Sequence, residues 1–212
     1  MRSKDRCTTL SAPSPNRSTL NEGILVRLAE SGALECFKPE RRDALWETLG
    51  VDRAENPGLT LESTEPAVAF PLLDAFETIG WDYAFSGHSA RGHPLSPLRE
   101  ELTRMKLPDA AALHHMENGS RVRYAGLVIC RQRPGTAKGV VFMTLEDETG
   151  FVNLVIWEKV FQRYEILAKT ASFLGVTGKL QVQAGVTHLV AEQLWVPEVN
   201  TQPARRRSRD FH

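Results

Sequence analysis

Gly139-Val140-Val141-Phe142-Met143-Thr144-Leu145-Glu146-Asp147-Glu148-Thr149-Gly150-Phe151-Val152-Asn153-Leu154-Val155-Ile156-Trp157 is the stretch on which the fold class turns. Period two puts Met143 and Leu145 on one side of a strand and Phe142 and Thr144 on the other; beyond Gly150 it separates Val152, Leu154 and Ile156 from Phe151, Asn153 and Trp157. The two aliphatic sets are the expected interior, and Glu148-Thr149-Gly150 supplies a tight hairpin turn between the strands. Upstream, Arg121 to Arg131 is rich in branched residues and reads as a preceding strand; downstream, Ser172 to Gln183 and Thr187 to Val196 read as two more, joined at Ala184-Gly185. Between the third and fourth strands, Trp157, Val160, Phe161, Tyr164 and Ala168 fall at i, i+3, i+4, i+7 and i+11, one face of a helix. Three strands, a helix and two strands within about 75 residues is the order of a five-stranded oligonucleotide/oligosaccharide-binding (OB) barrel, whose helix closes one end between strands three and four.

The chain before this barrel is helical in pattern, so the fold class is α+β. Residues 1–18 are polar and carry Pro13 and Pro15, too little apolar surface to offset ordering entropy, and read as a disordered lead-in. Residues 19–118 form a helical segment. Ile24, Leu25 and Leu28 share a helix face that stops at Gly32, and a second helix starts near Pro39 and runs through Ala44, Leu45, Trp46 and Leu49. Gly32 and Ala33 in the turn could offer amides to a phosphate, but Glu30 and Glu35 flank them, which favours a plain two-helix packing unit. Pro57, Gly58, Pro66 and Pro71 mark a linker at 52–71; Leu72 to Tyr83 and the stretch after Pro97 predict further helices. The barrel occupies 119–197, and 198–212 is a basic tail whose Arg205-Arg206-Arg207-Ser208-Arg209 run either adds phosphate affinity or keeps the end solvated.

Across 212 residues, 26 basic side chains balance 26 acidic ones, so no net field draws the molecule to a polyanion and any such binding needs a local patch. Three cysteines at 7, 36 and 130 make no CxxC pair, which argues against a disulfide framework and fits a reducing, cytoplasmic setting. No apolar run has the length to span a bilayer, so membrane attachment is not expected. The histidines include no HExxH arrangement, no serine sits in a GxSxG elbow, and Gly135 to Gly139 lacks phosphate-loop spacing. No catalytic residue, metal or cofactor is therefore assigned. Glu146-Asp147-Glu148 alternates faces and reads as a solvated turn.

The local patch lies at the barrel's lip. Arg121, Arg123, Arg131, Arg133 and Lys138 occur with no acidic residue between 118 and 145, and the loop joining strands one and two, with the face of strands two and three, is where OB barrels contact single strands. Such cations displace counterions from a phosphate backbone, while the bland alternative is a solvated loop. Phe142 and Phe151 are candidate base-stacking platforms, or else pack under the helix or against the preceding segment; Trp157 is assigned to the helix stripe.

The run Val128-Ile129-Cys130-Arg131-Gln132-Arg133-Pro134-Gly135-Thr136-Ala137-Lys138-Gly139 through Gly150, followed by Asn153-Leu154-Val155-Ile156-Trp157 and Val160-Phe161, resembles the C-terminal region of bacterial error-prone DNA polymerases of the C family. The resemblance extends to Leu28-Ala29-Glu30-Ser31-Gly32-Ala33-Leu34 and Arg41-Arg42-Asp43-Ala44-Leu45-Trp46, similar to that family's helix-hairpin-helix segment, to Gly92-His93-Pro94-Leu95, and to Ser208-Arg209-Asp210-Phe211-His212. It implies a noncatalytic DNA-binding module that holds single-stranded or primed template during damage-tolerant, translesion synthesis. The implied partners are DNA and possible further polymerase subunits, damage-tolerance accessory proteins or a sliding clamp. The alternative is a docking adaptor for those factors, with DNA contact incidental. The family's catalytic palm and its N-terminal phosphatase-like domain would lie before residue 1, so this chain alone is expected not to polymerise DNA.

Overall fold

The computed structural model describes residues 22–54, 70–137, 139–183, 186–204 and 208–211. The expected lead-in, most of the linker, Lys138 and Arg205 to Arg207 lie outside the described residues. The chain divides into two compact units, 1–77 and 78–212.

In the first unit, α1 (Glu22–Glu30) and α2 (Arg41–Ala54) flank the predicted turn. Gly32 adopts φ +78°, the left-handed conformation that closes a helix without a Cβ penalty. Its amide donates to Ala29 O at 3.1 Å and that of Ala33 to Leu28 O at 2.9 Å. These amides therefore cap α1 and are not open to a phosphate. Arg41 is buried with its Nε 3.6 Å from Glu35 Oε1, and Arg42 donates to Pro71 O at 2.9 Å and Glu77 Oε1 at 2.8 Å. Both arginines are committed to packing. The next helix, α3 (Ala75–Ser86), starts three residues later than its sequence pattern predicts.

The second unit holds the barrel. Residues 96–98 form a 3₁₀ turn that leads into α4 (Arg99–Arg104), and α5 (Ala110–His114) follows. The strands are β1 (Arg121–Gln132), β2 (Val141–Asp147), β3 (Gly150–Ile156), β4 (Phe173–Gln183) and β5 (Val186–Trp195). They pair in the order β2-β3-β5-β4-β1, and β1 returns to β2 to close the sheet. The long β1 achieves closure: its first half pairs with β4 and, from Leu127 onward, it pairs with β2 across an irregularity between Val128 and Cys130. Tyr124, Leu145, Leu154, Ile156, Leu174 and Leu189 are buried in the core, as period two requires.

Three features depart from the sequence reading. The single helix between β3 and β4 is two short ones, α6 (Glu158–Arg163) and α7 (Glu165–Thr170), broken at Tyr164. A sixth strand, β6 (Arg209–Phe211), runs parallel to β1 at Cys130 to Gln132. Residues 78–118 cluster with the barrel, and the acidic hairpin holds part of that segment, Arg99 and the start of α5. Asp147 is 3% exposed. Its Oδ1 accepts from Thr149 N (2.8 Å), Thr149 Oγ1 (2.7 Å) and Gly150 N (3.2 Å), while Oδ2 accepts from Ala110 N at 2.7 Å. Arg99 Nη2 lies 2.9 Å from Glu148 Oε2. The turn is therefore a buried clip that fastens the start of α5 to the barrel.

Candidate functional site

Alternation in β2 and β3 turns one set of side chains outward, and the ladder fixes which of them are neighbours. Phe142 pairs with Val155, Thr144 with Asn153 and Glu146 with Phe151. Phe142 is 37% exposed and Phe151 53%, so neither packs under the helix. Trp157 continues the outward series of Phe151, Asn153 and Val155 and is 56% exposed. It stands at the N-cap of α6, not on the core-facing stripe, which begins with Val160 and Phe161. This corrects its assignment to the helix face: the strand period continues one residue beyond β3, and that residue is a third exposed ring.

The cations sort into three environments. Arg133 opens the β1–β2 loop, is exposed, and places its Cζ 5.0 Å from the Phe161 ring centroid. That contact holds the guanidinium at the barrel rim without neutralising it. At the far end of the loop, Gly139 has φ +82°, and a Cβ there would lie 2.8 Å from the Glu158 carboxyl carbon. The Glu158 side chain could swing away, so it is the left-handed φ that calls for glycine here. Arg121 and Arg123 are exposed on the other half of β1; Arg121 Nε bonds Glu192 Oε2 at 2.9 Å, and Arg123 Cζ lies 4.7 Å from the Trp195 ring centroid.

Arg131 is different. Its Nε donates to Ala168 O at 2.8 Å, its Nη2 to Ala171 O, and its Nη1 to Ser208 Oγ and, at 3.3 Å, to Asp210 Oδ1. These bonds tie the end of α7 and the start of β6 to β1, so the side chain is engaged in structure where the sequence suggested a phosphate contact. A cavity of about 360 Å³ lies beside it, lined among others by Arg133, Met143, Phe161 and Lys169. Nearby, a hydrogen bond from Lys169, the charge of Lys169 and the charge of Arg133 together lower the pKa of Glu165.

Under the hairpin, burial works against the Arg99 charge, but Glu148, Asp147 and Asp109 outweigh it and leave the guanidinium pKa above its ordinary value. Burial, then the neighbouring Asp147, pushes the Tyr124 phenol well above its ordinary value. Among the described residues no group of three histidine, cysteine or acidic side chains is placed to hold a metal ion, and no helix is long and apolar enough to cross a membrane. Sequence reasoning also passed over Asn153, His188, Gln181 and Lys179, which the register brings onto the outer face of β3, β5 and β4. Period two marked Asn153 as outward, but nothing local showed which strands would flank it.

Residues 122–197 match the family model described as an OB-fold nucleic acid binding domain. The chain is 39% identical to an error-prone DNA polymerase of Anaeromyxobacter sp. (strain K) over 198 residues, covering 92% of this chain and 17% of that protein. It is 40% identical to an error-prone DNA polymerase of Ralstonia nicotianae over 204 residues, covering 93% of this chain and 19% of that protein. The chain thus spans less than a fifth of these relatives' length. Among solved structures, asparaginyl-tRNA synthetase from Pyrococcus horikoshii is 24% identical over 42% of this chain and 22% of that one, with a TM-score of 0.37.

Proposed function

We propose that this chain, homologous to the C-terminal part of error-prone DNA polymerases and carrying an OB-fold nucleic acid binding domain, is a noncatalytic module that holds single-stranded template during damage-tolerant synthesis. The observation that carries the reading is the outer face of β2 and β3. Phe142, Phe151 and Trp157 are exposed on one side of a closed barrel, and Arg133 follows Gln132, the cross-strand partner of Phe142. Exposed rings accept bases of any identity by stacking, and a cation at the rim accompanies the phosphates. A duplex hides its base faces in the stack, so this combination suits an unpaired strand. Template contact by the α1–α2 segment as a helix-hairpin-helix has weaker support, because its turn amides are already bonded.

Titration of the protein with a fluorescent single-stranded oligonucleotide at increasing salt tests the reading. Binding is expected to weaken steeply with salt, and Arg133→Ala/Lys138→Ala to lower both the affinity and the salt slope, by about 0.7 for each phosphate that is no longer neutralised. Equal affinity and slope for protein and variant at low salt would rule out the loop. The adaptor reading makes the opposite prediction for Phe142→Ala: weakened capture of a polymerase accessory factor with oligonucleotide affinity unchanged.

A further inference from the structure

One cross-strand row on the outer face is polar from β2 to β4. Thr144 pairs with Asn153, Asn153 with His188, and His188 with Gln181, so four hydrogen-bonding side chains cross β2, β3, β5 and β4. The row on one side is Phe142, Val155, Val190 and Lys179, and the row on the other includes Phe151. Phe142 precedes Thr144 by two residues and Phe151 precedes Asn153 by two, about 7 Å along each strand. A base stacked on either ring therefore brings its edge toward this row.

The polar atoms in the row present a definite pattern. Thr144 Oγ1 donates to Asn153 Oδ1 at 3.1 Å, which engages one lone pair of the amide oxygen and fixes the orientation of the amide, with neither Nδ2 hydrogen bonded to a protein partner among the described residues. His188 Nδ1 is buried with no hydrogen-bond partner among them. In a neutral imidazole one nitrogen carries the proton, so the unpartnered Nδ1 is an orphan in either tautomer; a buried N–H without an acceptor is the rarer orphan, which favours the proton on Nε2. Asn153 and His188 are then two neighbouring donors with no acceptor of their own.

We infer that Asn153 and His188 give the face a base preference, for an edge that shows two adjacent acceptors. Cytosine shows O2 beside N3; thymine places an N–H between its two carbonyls. The two pyrimidines stack comparably, so a difference between them reports the edge and not the ring. The inference rests on the single-strand reading above.

Fluorescence anisotropy with oligo-dC and oligo-dT of about twelve nucleotides, within the length an OB barrel engages, separates the two. Oligo-dC is expected to bind the full chain about fivefold tighter or more. Asn153→Ala/His188→Ala should bring the two affinities within about twofold of each other, with oligo-dT binding retained. Asn153→Asp, which exchanges the donor for an acceptor in the same shape at an exposed position, should abolish the preference while preserving the thermal transition. Equal binding of both oligonucleotides by the unsubstituted protein overturns the inference and leaves the single-strand reading standing. A preference that persists in both variants overturns the assignment to these residues. Binding of neither oligonucleotide overturns the single-strand reading and this inference with it.

Discussion

The turns at the two ends of β2 look alike as sequence: each is polar, charged and bounded by a glycine, Gly139 at the start and Gly150 at the end. In the fold they have opposite fates. The acidic hairpin is turned inward, with Asp147 accepting three bonds from its own turn and one from the first residue of α5. Gly135 and Thr136 of the basic loop stay exposed, and Arg133 rests on a ring instead of a carboxylate. The difference lies in what each turn faces. A helix start with unpaired amides needs an acceptor, and Asp147 supplies it; no equivalent demand falls on the described part of the other loop. Its charge remains available to a ligand.

The largest expected effect follows from the inward turn. Asp147→Ala removes the acceptor for four donors in a buried site and leaves Arg99 short of a partner, so denaturant unfolding should show a loss of about 3–5 kcal/mol. Arg133→Ala/Lys138→Ala at the other end of β2 should change stability by less than about 0.5 kcal/mol. Similar losses at both ends would mean that the basic loop, too, is structural.

The same cluster predicts an alkaline weakness. Burial, and then the neighbouring Asp147, holds the Tyr124 phenol pKa well above the ordinary 10.0. The unfolded chain releases that proton near the ordinary value while the folded chain keeps it, so above pH 10 the unfolded state binds fewer protons and stability falls as pH rises. Below that range Tyr124 contributes no slope. Tyr124→Phe should flatten the fall in unfolding midpoint above pH 10 and leave the profile between pH 6 and 9 parallel to that of the unsubstituted protein. Profiles that remain parallel above pH 10 would show that the phenol is not the group responsible.

The outer face is next in size. A base stacked on an aromatic ring is worth about 1–3 kcal/mol, so Phe151→Ala and Trp157→Ala should each weaken oligonucleotide binding by that amount with unfolding midpoints unchanged. Loss of affinity at Phe151 but not at Trp157 would confine the strand to the hairpin end of β3.

These residues also show what the linear chain discloses. The succession of strands along the chain and the buried alternation around Met143, Leu145, Val152 and Leu154 were legible because period two and hairpin glycines are local signals, whereas closure followed only from matching that succession to an OB barrel. Trp157 was misread because it fits two periods at once, as the last outward position of β3 and the first of the helix stripe. Asp147 looked solvated because its decisive partner, Ala110 N, lies 37 residues away. Arg131 looked like a free cation because Asp210 and β6 meet it from 79 residues further on. Contacts of that range leave no periodic trace, and they decide which charges a barrel exposes.

Arg121 offers the smallest effect and the finest test of that sorting. It is exposed like Arg133, but its guanidinium already holds a carboxylate, Glu192, across the sheet at 2.9 Å. An exposed pair of this kind contributes about 0–1 kcal/mol to stability, and much of its positive field is cancelled at the distance of a phosphate. Arg121→Ala should therefore change oligonucleotide affinity by less than about twofold, well below the effect of the β1–β2 loop substitution, and leave the salt slope within error of the unsubstituted protein. Glu192→Gln then becomes informative: it removes the opposing charge while keeping an acceptor of the same shape, and binding should strengthen if the strand passes over β1 and β5. A large loss on removing Arg121 alone would place the phosphate path along the first half of β1 and away from the loop.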